Sequence, residues 1–264
     1  TKADANAKSV YIHHLTYNKE TRKLRIKSEI KLVDESIEED PATKKVVDDW
    51  INNIFHAFET QCSTDTKLNC YNPREFICHT GNDALDGTEA SVRNEPTALT
   101  ELITNGFWRA FQDSGSEHQA DAAIMNGGSV RIDDFIKGEV TQYQIIRISP
   151  FGGEIALVAM KGNILIRALN QGEKNVGTGA YLQKARISKN TDGRWTINSQ
   201  PIDGNTTYKI AISSYLVDVG DTHLEFLAED QNVIKLDVPR VDFYTAITRE
   251  FKLHYPSETT QETK

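Results

Sequence analysis

The sequence predicts an α+β fold, a mixed β-sheet with flanking helices, preceded by a β-hairpin and a linker helix. Segments in which polar and apolar side chains alternate are interleaved with segments whose apolar residues recur at helical spacing. The order of these segments lacks the strict strand–helix–strand repeat of a doubly wound sheet, which favours α+β. At 264 residues the chain is long enough to bury a sizeable core.

The first predicted elements are the hairpin and the linker helix. Residues 8–17 and 23–33 alternate in polarity around the turn Asn18-Lys19-Glu20, which predicts two strands with one apolar face. Asp40 suits the N-cap of a helix, and Pro41 suits its first position. The apolar stripe of this helix consists of Val46, Val47, Trp50, Ile51, Ile54, Phe55 and Phe58.

Helices and strands then alternate to the end of the chain. Residues 59–84 are expected to form a cysteine-bearing loop, and the polar tail 256–264 is expected to be disordered. The predicted helices cover residues 97–111, 163–170 (ending on Gly172) and 241–251, with a short amphipathic segment at 141–147. The predicted sheet strands are a buried one ending near residue 126 and those at 154–160, 182–188, 194–198 and 207–213.

Charge and hydropathy exclude some classes of partner. The net charge of −8 argues against nucleic acid or an anionic membrane surface. No run approaches the roughly 18 apolar residues of a membrane span, and the first residues lack the apolar core of a signal peptide. The chain is therefore expected to behave as a soluble mature fragment.

Three cysteines lie in one polar, turn-rich segment. Their clustering favours a disulfide, either Cys62–Cys70 or Cys70–Cys78, with the third thiol free or paired elsewhere. A metal site is the less favoured alternative. The spacing of eight residues fits no familiar zinc pattern, and among the histidines His79 alone sits at ligand spacing.

Two glycine-bearing turns are candidates for contact with a ligand. Residues 121–131 predict a buried strand that ends in the tight turn Asn126-Gly127-Gly128, after which the chain continues to Arg131. This arrangement would direct the side-chain amide of Asn126 and the guanidinium of Arg131 toward the same region. Pro150-Phe151-Gly152-Gly153 presents an aromatic ring on a backbone that can approach a ligand closely. Taken singly, each motif could be an ordinary turn.

Together, in this order and spacing, the motifs resemble the C-terminal, substrate-recognition domain of the 5'-nucleotidase family. This family of exported metallophosphatases also includes UDP-sugar hydrolases and 2',3'-cyclic nucleotide phosphodiesterases. The resemblance extends over residues 80–230, and less specifically back to about residue 8. It is carried further by Leu85-Asp86-Gly87, by an Arg-containing strand and helix at 92–103, by Ala180-Tyr181-Leu182-Gln183 and by segment 208–221.

The resemblance implies a domain organisation. Residues 1–35 correspond to the trailing hairpin of an N-terminal metallophosphatase domain whose main body is absent, and residues 36–58 to an interdomain linker helix with a hinge. Residues 59–255 correspond to a nucleotide-recognition domain, followed by the tail 256–264. The implied partner is the N-terminal metallophosphatase domain with its pair of divalent metal ions, such as zinc or manganese. The implied location is exported: periplasmic, secreted or at the cell surface.

The resemblance also implies a nucleoside or nucleotide ligand. It assigns Arg93 and Arg131 to the phosphate, where a planar guanidinium suits bidentate contact. Phe151 and Tyr215 correspond to an aromatic pair that stacks the nucleobase. The alternative for either arginine is a surface ion pair, and the alternative for either ring is a place in the core. Phe151, beside two glycines, is poorly placed for a core, whereas Tyr215 could lie in the core or at a rim.

Polar groups and glycines complete the implied site. Asn126 would hydrogen-bond the base or ribose, and Asp221 the ribose hydroxyls, although Asp221 could simply form a turn. Gly128 and Gly153 would let the backbone approach the substrate. Ser129 departs from the family pattern, which usually has a glycine there, so base preference stays open.

The family's metal-binding motifs are incomplete in this sequence. Asp221-Thr222-His223 matches its Asp-x-His pattern and Gly81-Asn82-Asp83 approximates its Gly-Asn-His pattern, but Gly-His-x-His is missing. The chain is therefore expected to carry no metal site and to be inactive alone. The alternative is a non-catalytic nucleotide-binding or protein-interaction module that retained the fold. The sequence does not choose among nucleotide substrates.

Overall fold

The computed structural model describes residues 7–34, 36–64, 71–113, 115 and 118–256, with residues 61–64 described as backbone. The chain divides into two compact units, Thr1–Ala57 and Phe58–Lys264. In the part of the chain that the structure describes, no helix is both long and apolar enough to cross a membrane.

The first unit contains the predicted hairpin and most of the predicted linker helix. Strands β1 (Ser9–Asn18) and β2 (Lys23–Leu32) pair antiparallel. Helix α1 (Pro41–Thr64) begins as predicted, because the Asp40 carboxylate accepts the backbone N–H of Thr43 at 2.7 Å. The helix continues past the predicted end at residue 58, since no glycine or proline interrupts the residues up to Thr64.

The second unit holds the remaining elements. Its strands are β3 (Phe76–Asp86), β4 (Ala122–Asn126), β5 (Phe135–Thr141), β6 (Glu154–Lys161), β7 (Leu182–Ala185), β8 (Ile187–Lys189), β9 (Trp195–Ile197), β10 (Gln200–Pro201), β11 (Thr207–Ser213), β12 (Ile234–Lys235) and β13 (Val241–Asp242). Its helices are α2 (Glu89–Val92), α3 (Ala98–Arg109), α4 (Gln142–Ile148), α5 (Gly162–Lys174), α6 (Ser214–Asp218), α7 (Phe226–Glu229) and α8 (Phe243–His254).

A mixed sheet organises this unit. Its strands lie in the order β12-β6-β11-β4-β7, with β13 also paired to β6. Strands β11 and β4 run parallel, whereas β6 is antiparallel to β11 and β7 is antiparallel to β4. The parallel pair brings the carboxyl ends of β4 and β11 to the same edge of the sheet.

Both faces of the sheet are buried. Met125 and Leu157 face a core that includes residues of α3 and α8, whereas their neighbours Ile124 and Val158 face a core that includes residues of α5 and α6. Successive side chains of a strand point to opposite faces, so the continuous apolar runs of β4 and β6 fill both cores. The predicted α+β fold with flanking helices is confirmed.

Several predicted elements are wrong in detail. Residues 76–84, expected in the cysteine-bearing loop, belong to β3, which pairs with β5. The strand predicted at 182–188 breaks at Arg186, whose φ is +66°, and β8 forms a separate small sheet with β9 and β10. The segment expected as an Arg-containing strand is the short helix α2, with Arg93 at its C-cap.

Gly172 does not end helix α5, contrary to the prediction. The helix continues to Lys174, and Gly172 is buried inside it. A Cβ atom at this position would lie 2.7 Å from Leu182 Cβ. The glycine is needed because strand β7 packs directly on the helix, not because the backbone turns there.

The structure decides one of the two predicted disulfides. Cys78 is a buried free thiol, so the Cys70–Cys78 pairing is wrong. Cys78 lies within β3 and is fully buried there, whereas it was predicted to lie in a polar loop. The Cys62–Cys70 pairing and the tail from residue 257 onward lie outside what the structure describes.

Candidate functional site

One cavity of about 450 Å³ brings together every predicted site residue except Arg93. Sequence reasoning missed Phe243 and the hydroxyl side chains of Ser149, Ser213 and Ser214, which also line it. The predicted residues that line the cavity are Asn126, Gly128, Arg131, Phe151, Gly153, Tyr215 and Asp221.

The sheet explains why segments far apart in sequence meet here. Asn126 ends β4 and Ser213 ends β11, and these two strands are parallel neighbours. Strand β6 runs the opposite way, so its first residue, Glu154, and the turn at 149–153 lie at the same edge. Crevices at the carboxyl ends of parallel strands are common ligand sites.

Asn126 and Asp221 form the polar floor of the cavity. Asn126 is 5% exposed; its Nδ2 donates to Asp221 Oδ2 at 3.2 Å, and its Oδ1 accepts from Ser129 Oγ at 2.7 Å. Asp221 Oδ1 also accepts the backbone N–H of Thr222 at 2.7 Å. An amide nitrogen carries two hydrogens and a carboxylate several acceptor sites, so both groups retain capacity for a ligand.

The glycines of the Asn-Gly-Gly turn serve close backbone packing. A Cβ atom at Gly127 would lie 2.5 Å from the carbonyl oxygen of Val92, and one at Gly128 would lie 3.1 Å from Gly179 Cα. The N–H of Gly128 donates to the carbonyl of Gly179 at 2.7 Å. The turn is thus fixed by its neighbours, and Gly128 lines the cavity with backbone alone.

Phe151 stands out into solvent on a turn that two glycines permit. Its side chain is 79% exposed, and Gly152 and Gly153 have φ angles of +65° and +138°. The ring of Phe243 lies 3.0 Å from where a Cβ atom of Gly153 would be, so a larger residue would clash there. Arg131 lies over the Phe151 ring, with Cζ 5.3 Å from the ring centroid.

Tyr215 occupies the rim of the cavity rather than the core. It lies in the first turn of α6 and is 45% exposed. Its carbonyl accepts the N–H groups of Val219 and Gly220 at 3.0 and 2.9 Å, and Gly220 ends the turn with a φ of +89°. The helix end therefore carries Tyr215 and Asp221 into the same cavity.

An ion-pair network ties α6 to the start of β6. Arg240 Nη1 lies 2.6 Å from Asp218 Oδ2 and 3.3 Å from Glu154 Oε2. Lys235 Nζ also reaches Asp218, at 2.7 Å. The hydrogen bonds from Arg240 lower the pKa of the Asp218 carboxyl. This network joins the element that carries Tyr215 to the strand that follows the Phe151 turn.

Arg93 does not line the cavity. Its side chain is 20% exposed, and its Nη1 pairs with Glu89 Oε1 at 2.9 Å, one helical turn earlier. The preceding residue, Val92, packs on Gly127, which leaves Arg93 beside the Asn-Gly-Gly turn. Among the described residues, the buried Nε of Arg93 finds no hydrogen-bond partner.

Two residues of the Asp-x-His motif can be placed in the structure. The Asp221 carboxylate is engaged by Asn126, and His223 is exposed with a φ of +61°. Over the described ranges, no three His, Cys, Asp or Glu side chains converge closely enough to hold a metal ion.

Comparison with known proteins defines the class. Residues 77–229 match the family model of the 5'-nucleotidase C-terminal domain, and the chain belongs to this family. It is 32% identical to protein UshA of Yersinia enterocolitica over 145 residues, which are 53% of this chain and 25% of UshA. It is 28% identical to the trifunctional nucleotide phosphoesterase YfkN of Bacillus subtilis over 216 residues, 74% of this chain and 13% of YfkN.

A solved structure shows the same fold. The 5'-nucleotidase precursor of Thermus thermophilus superposes with a TM-score of 0.72 at 22% identity. The match covers 94% of this chain and 47% of the Thermus protein. The chain therefore spans a minor part of the length of each relative.

Proposed function

We propose that this chain is the nucleotide-recognition part of a 5'-nucleotidase-type phosphohydrolase. The observation that carries the proposal is the convergence of Asn126, Arg131, Phe151, Tyr215 and Asp221 on one cavity. These residues come from separate segments, and together they offer two aromatic rings, a cation, an amide and a carboxylate. A nucleotide has a complementary surface for each of these groups.

The nucleobase would stack on Phe151 and Tyr215. Both rings line the cavity, and Phe151 is 79% and Tyr215 45% exposed, so each has ring surface available to a ligand. Stacking on an aromatic side chain contributes about 1–3 kcal/mol per base. Arg131 lies over the Phe151 ring, so this contact would also help to fix the orientation of Phe151 against the base.

The ribose would bind between Asp221 and Asn126. A carboxylate can accept hydrogen bonds from both hydroxyls of a vicinal diol, and the remaining N–H of Asn126 can donate to a ring or hydroxyl oxygen. The Asn126–Asp221 hydrogen bond holds both groups in place before a ligand arrives. Such preorganisation lowers the entropic cost of binding.

The phosphate would contact Arg131. Arg93 does not line the cavity, so it would join Arg131 only if its side chain reoriented from its present pairing with Glu89 at 2.9 Å. The carboxylate of Asp221 in the same cavity disfavours a phosphate close to it, so the anion belongs at the Arg131 side.

Hydrolysis would require groups from outside this chain. Phosphate-ester cleavage at neutral pH needs a nucleophile and charge neutralisation, commonly from two metal ions. The described residues offer no suitable donor set, so we assign no step of hydrolysis to them. We propose that an N-terminal metallophosphatase domain with a divalent metal pair supplies this chemistry, in an exported protein, and that the chain alone is inactive.

Calorimetry with adenosine and AMP tests the proposal on the 264-residue chain. Saturable binding is expected for the wild-type chain and should be lost in Phe151→Ala. Phe135→Ala is the matched control, because Phe135 is also an exposed phenylalanine but lies on β5, away from the cavity lining. The absence of heat at millimolar ligand, or equal losses in the two variants, would overturn the proposal.

A further inference from the structure

The segment 71–75 contacts the element that leads into the Phe151 turn. At the start of α4, the backbone N–H of Gln142 donates to the carbonyl of Glu75 at 2.8 Å, and that of Tyr143 donates to the carbonyl of Pro73 at 2.9 Å. Helix α4 then runs directly into the turn at 149–153. The first peptide groups of α4 are thus held by this segment.

The same segment contacts the N-terminus of α8 through Tyr71. The Tyr71 hydroxyl donates to Asp242 Oδ2 and lies 2.8 Å from Thr245 Oγ1. Its ring meets that of Tyr244 edge-on, with centroids 5.2 Å apart. Asp242 is the N-cap of α8, where its carboxylate accepts the backbone N–H of Thr245 at 2.9 Å. Tyr71 therefore forms a hydrogen bond with the carboxylate that caps the N-terminus of α8.

The N-terminus of α8 in turn holds the Phe151 turn. The backbone N–H of Phe243 donates to the carbonyl of Gly153 at 3.0 Å, and the Tyr244 hydroxyl donates to the carbonyl of Ser149 at 2.8 Å. Both ends of the turn are therefore fixed by residues that directly follow Asp242. Two glycines with positive φ give this turn little stiffness of its own, so its position depends on such external bonds.

We propose that Tyr71 is a positioning residue for the nucleotide cavity, which fixes the N-cap of α8 and through it the Phe151 turn. The inference rests on the proposed function for its ligand and on the contacts above for its mechanism. Tyr71 does not line the cavity, so its effect on binding is indirect. A stacking ring that is held in place before binding loses less conformational entropy when the base arrives.

The chain offers a matched control at the other end of α8. The hydroxyl of Tyr255 donates to Asp83 Oδ2 at 2.9 Å, so it also joins the helix to another segment through a tyrosine–carboxylate bond. Tyr255 follows the last residue of α8, at the opposite end from the Phe151 turn. Tyr71→Phe and Tyr255→Phe each remove one hydroxyl and preserve the ring.

The test combines AMP calorimetry with hydrogen exchange of residues 149–153. Tyr71→Phe should weaken AMP binding by up to about tenfold, because the free energy of the lost hydrogen bond is the upper limit of its indirect effect on the position of the turn. It should also speed exchange of the Gly152 amide, which donates to the Ser149 carbonyl at 2.9 Å. Tyr255→Phe should change neither quantity.

Two results would contradict the role of Tyr71. Unchanged affinity and exchange in Tyr71→Phe would overturn the inference, and equal effects in both variants would do the same by revealing general destabilisation of α8. If the wild-type chain binds no AMP, the proposed function fails. The exchange comparison would then still decide whether Tyr71 holds the turn.

Discussion

The side-chain amide of Asn126 donates to the carboxylate of Asp221 across 3.2 Å and joins two segments that are 95 residues apart. A carboxylate can only accept, so the Nδ2 end of Asn126 must face Asp221. The hydroxyl of Ser129 then donates to the Oδ1 end at 2.7 Å. This arrangement fixes the polar floor of the cavity, with the Asn126 amide nitrogen as the donor beside the Asp221 carboxylate as the acceptor.

Replacing Asn126 with Asp should destroy this pattern. A carboxylate at the buried position 126 would face the carboxylate of Asp221, and the donor to the ligand would be lost. We expect adenosine binding to weaken by about tenfold or more, since 1.4 kcal/mol corresponds to a factor of ten. Calorimetry would measure it, with Asn105→Asp on the exposed side of α3 as the control. Unchanged adenosine affinity in Asn126→Asp would exclude a ligand role for the amide.

Arg131→Ala should weaken AMP binding more than adenosine binding. Hydrogen bonds to charged groups contribute about 1.5–3 kcal/mol, which predicts a loss of roughly tenfold or more for AMP. Adenosine should lose less, through the contact of Arg131 with the Phe151 ring. Arg194→Ala, at an exposed turn, is the matched control. Parallel losses for the two ligands would show that Arg131 does not contact the phosphate.

Glu89→Gln should strengthen AMP binding. The substitution removes the charge that now pairs with Arg93 at 2.9 Å. If Arg93 binds the phosphate together with Arg131, as the family resemblance implies, its guanidinium no longer has Glu89 as a competing partner. Because Glu89 is exposed and the pair is screened by solvent, we expect a modest gain of about two- to fivefold. Calorimetry with AMP and adenosine would measure the two affinities separately. The gain should disappear in Glu89→Gln/Arg93→Ala, and an equal gain for adenosine would contradict the explanation.

Local sequence signals predicted much of the fold. The apolar runs of β4 and β6 and the cap formed by Asp40 depend on neighbouring residues, so they could be read directly. Strand β3 could not, because its polar, glycine-bearing sequence forms a strand only through pairing with β5, about sixty residues away. The burial of Cys78 follows from that pairing and was missed with it.

The same distinction applies to the site. The two glycine-bearing motifs marked Asn126 and Phe151 because such turns are visible in sequence. Ser213 was missed because it reaches the cavity only through the parallel pairing of β11 with β4. The pairing of Arg93 with Glu89 had a local signal, a carboxylate and a guanidinium four residues apart on what proved to be a helix end. The wrong prediction of a strand there concealed it.

Cys78 should make the stability of the chain depend on alkaline pH. Burial raises the pKa of its thiol from 9.0 to about 11, so the folded state favours the neutral form. This contribution is fully present below the unfolded pKa and is lost as the pH rises from 9 through about 11. Urea unfolding at about pH 8, 9, 10 and 11 should show a steeper fall in unfolding free energy for the wild type than for Cys78→Ala. Because the tyrosines titrate in both chains, parallel curves would mean that the Cys78 thiol does not favour the neutral form on folding.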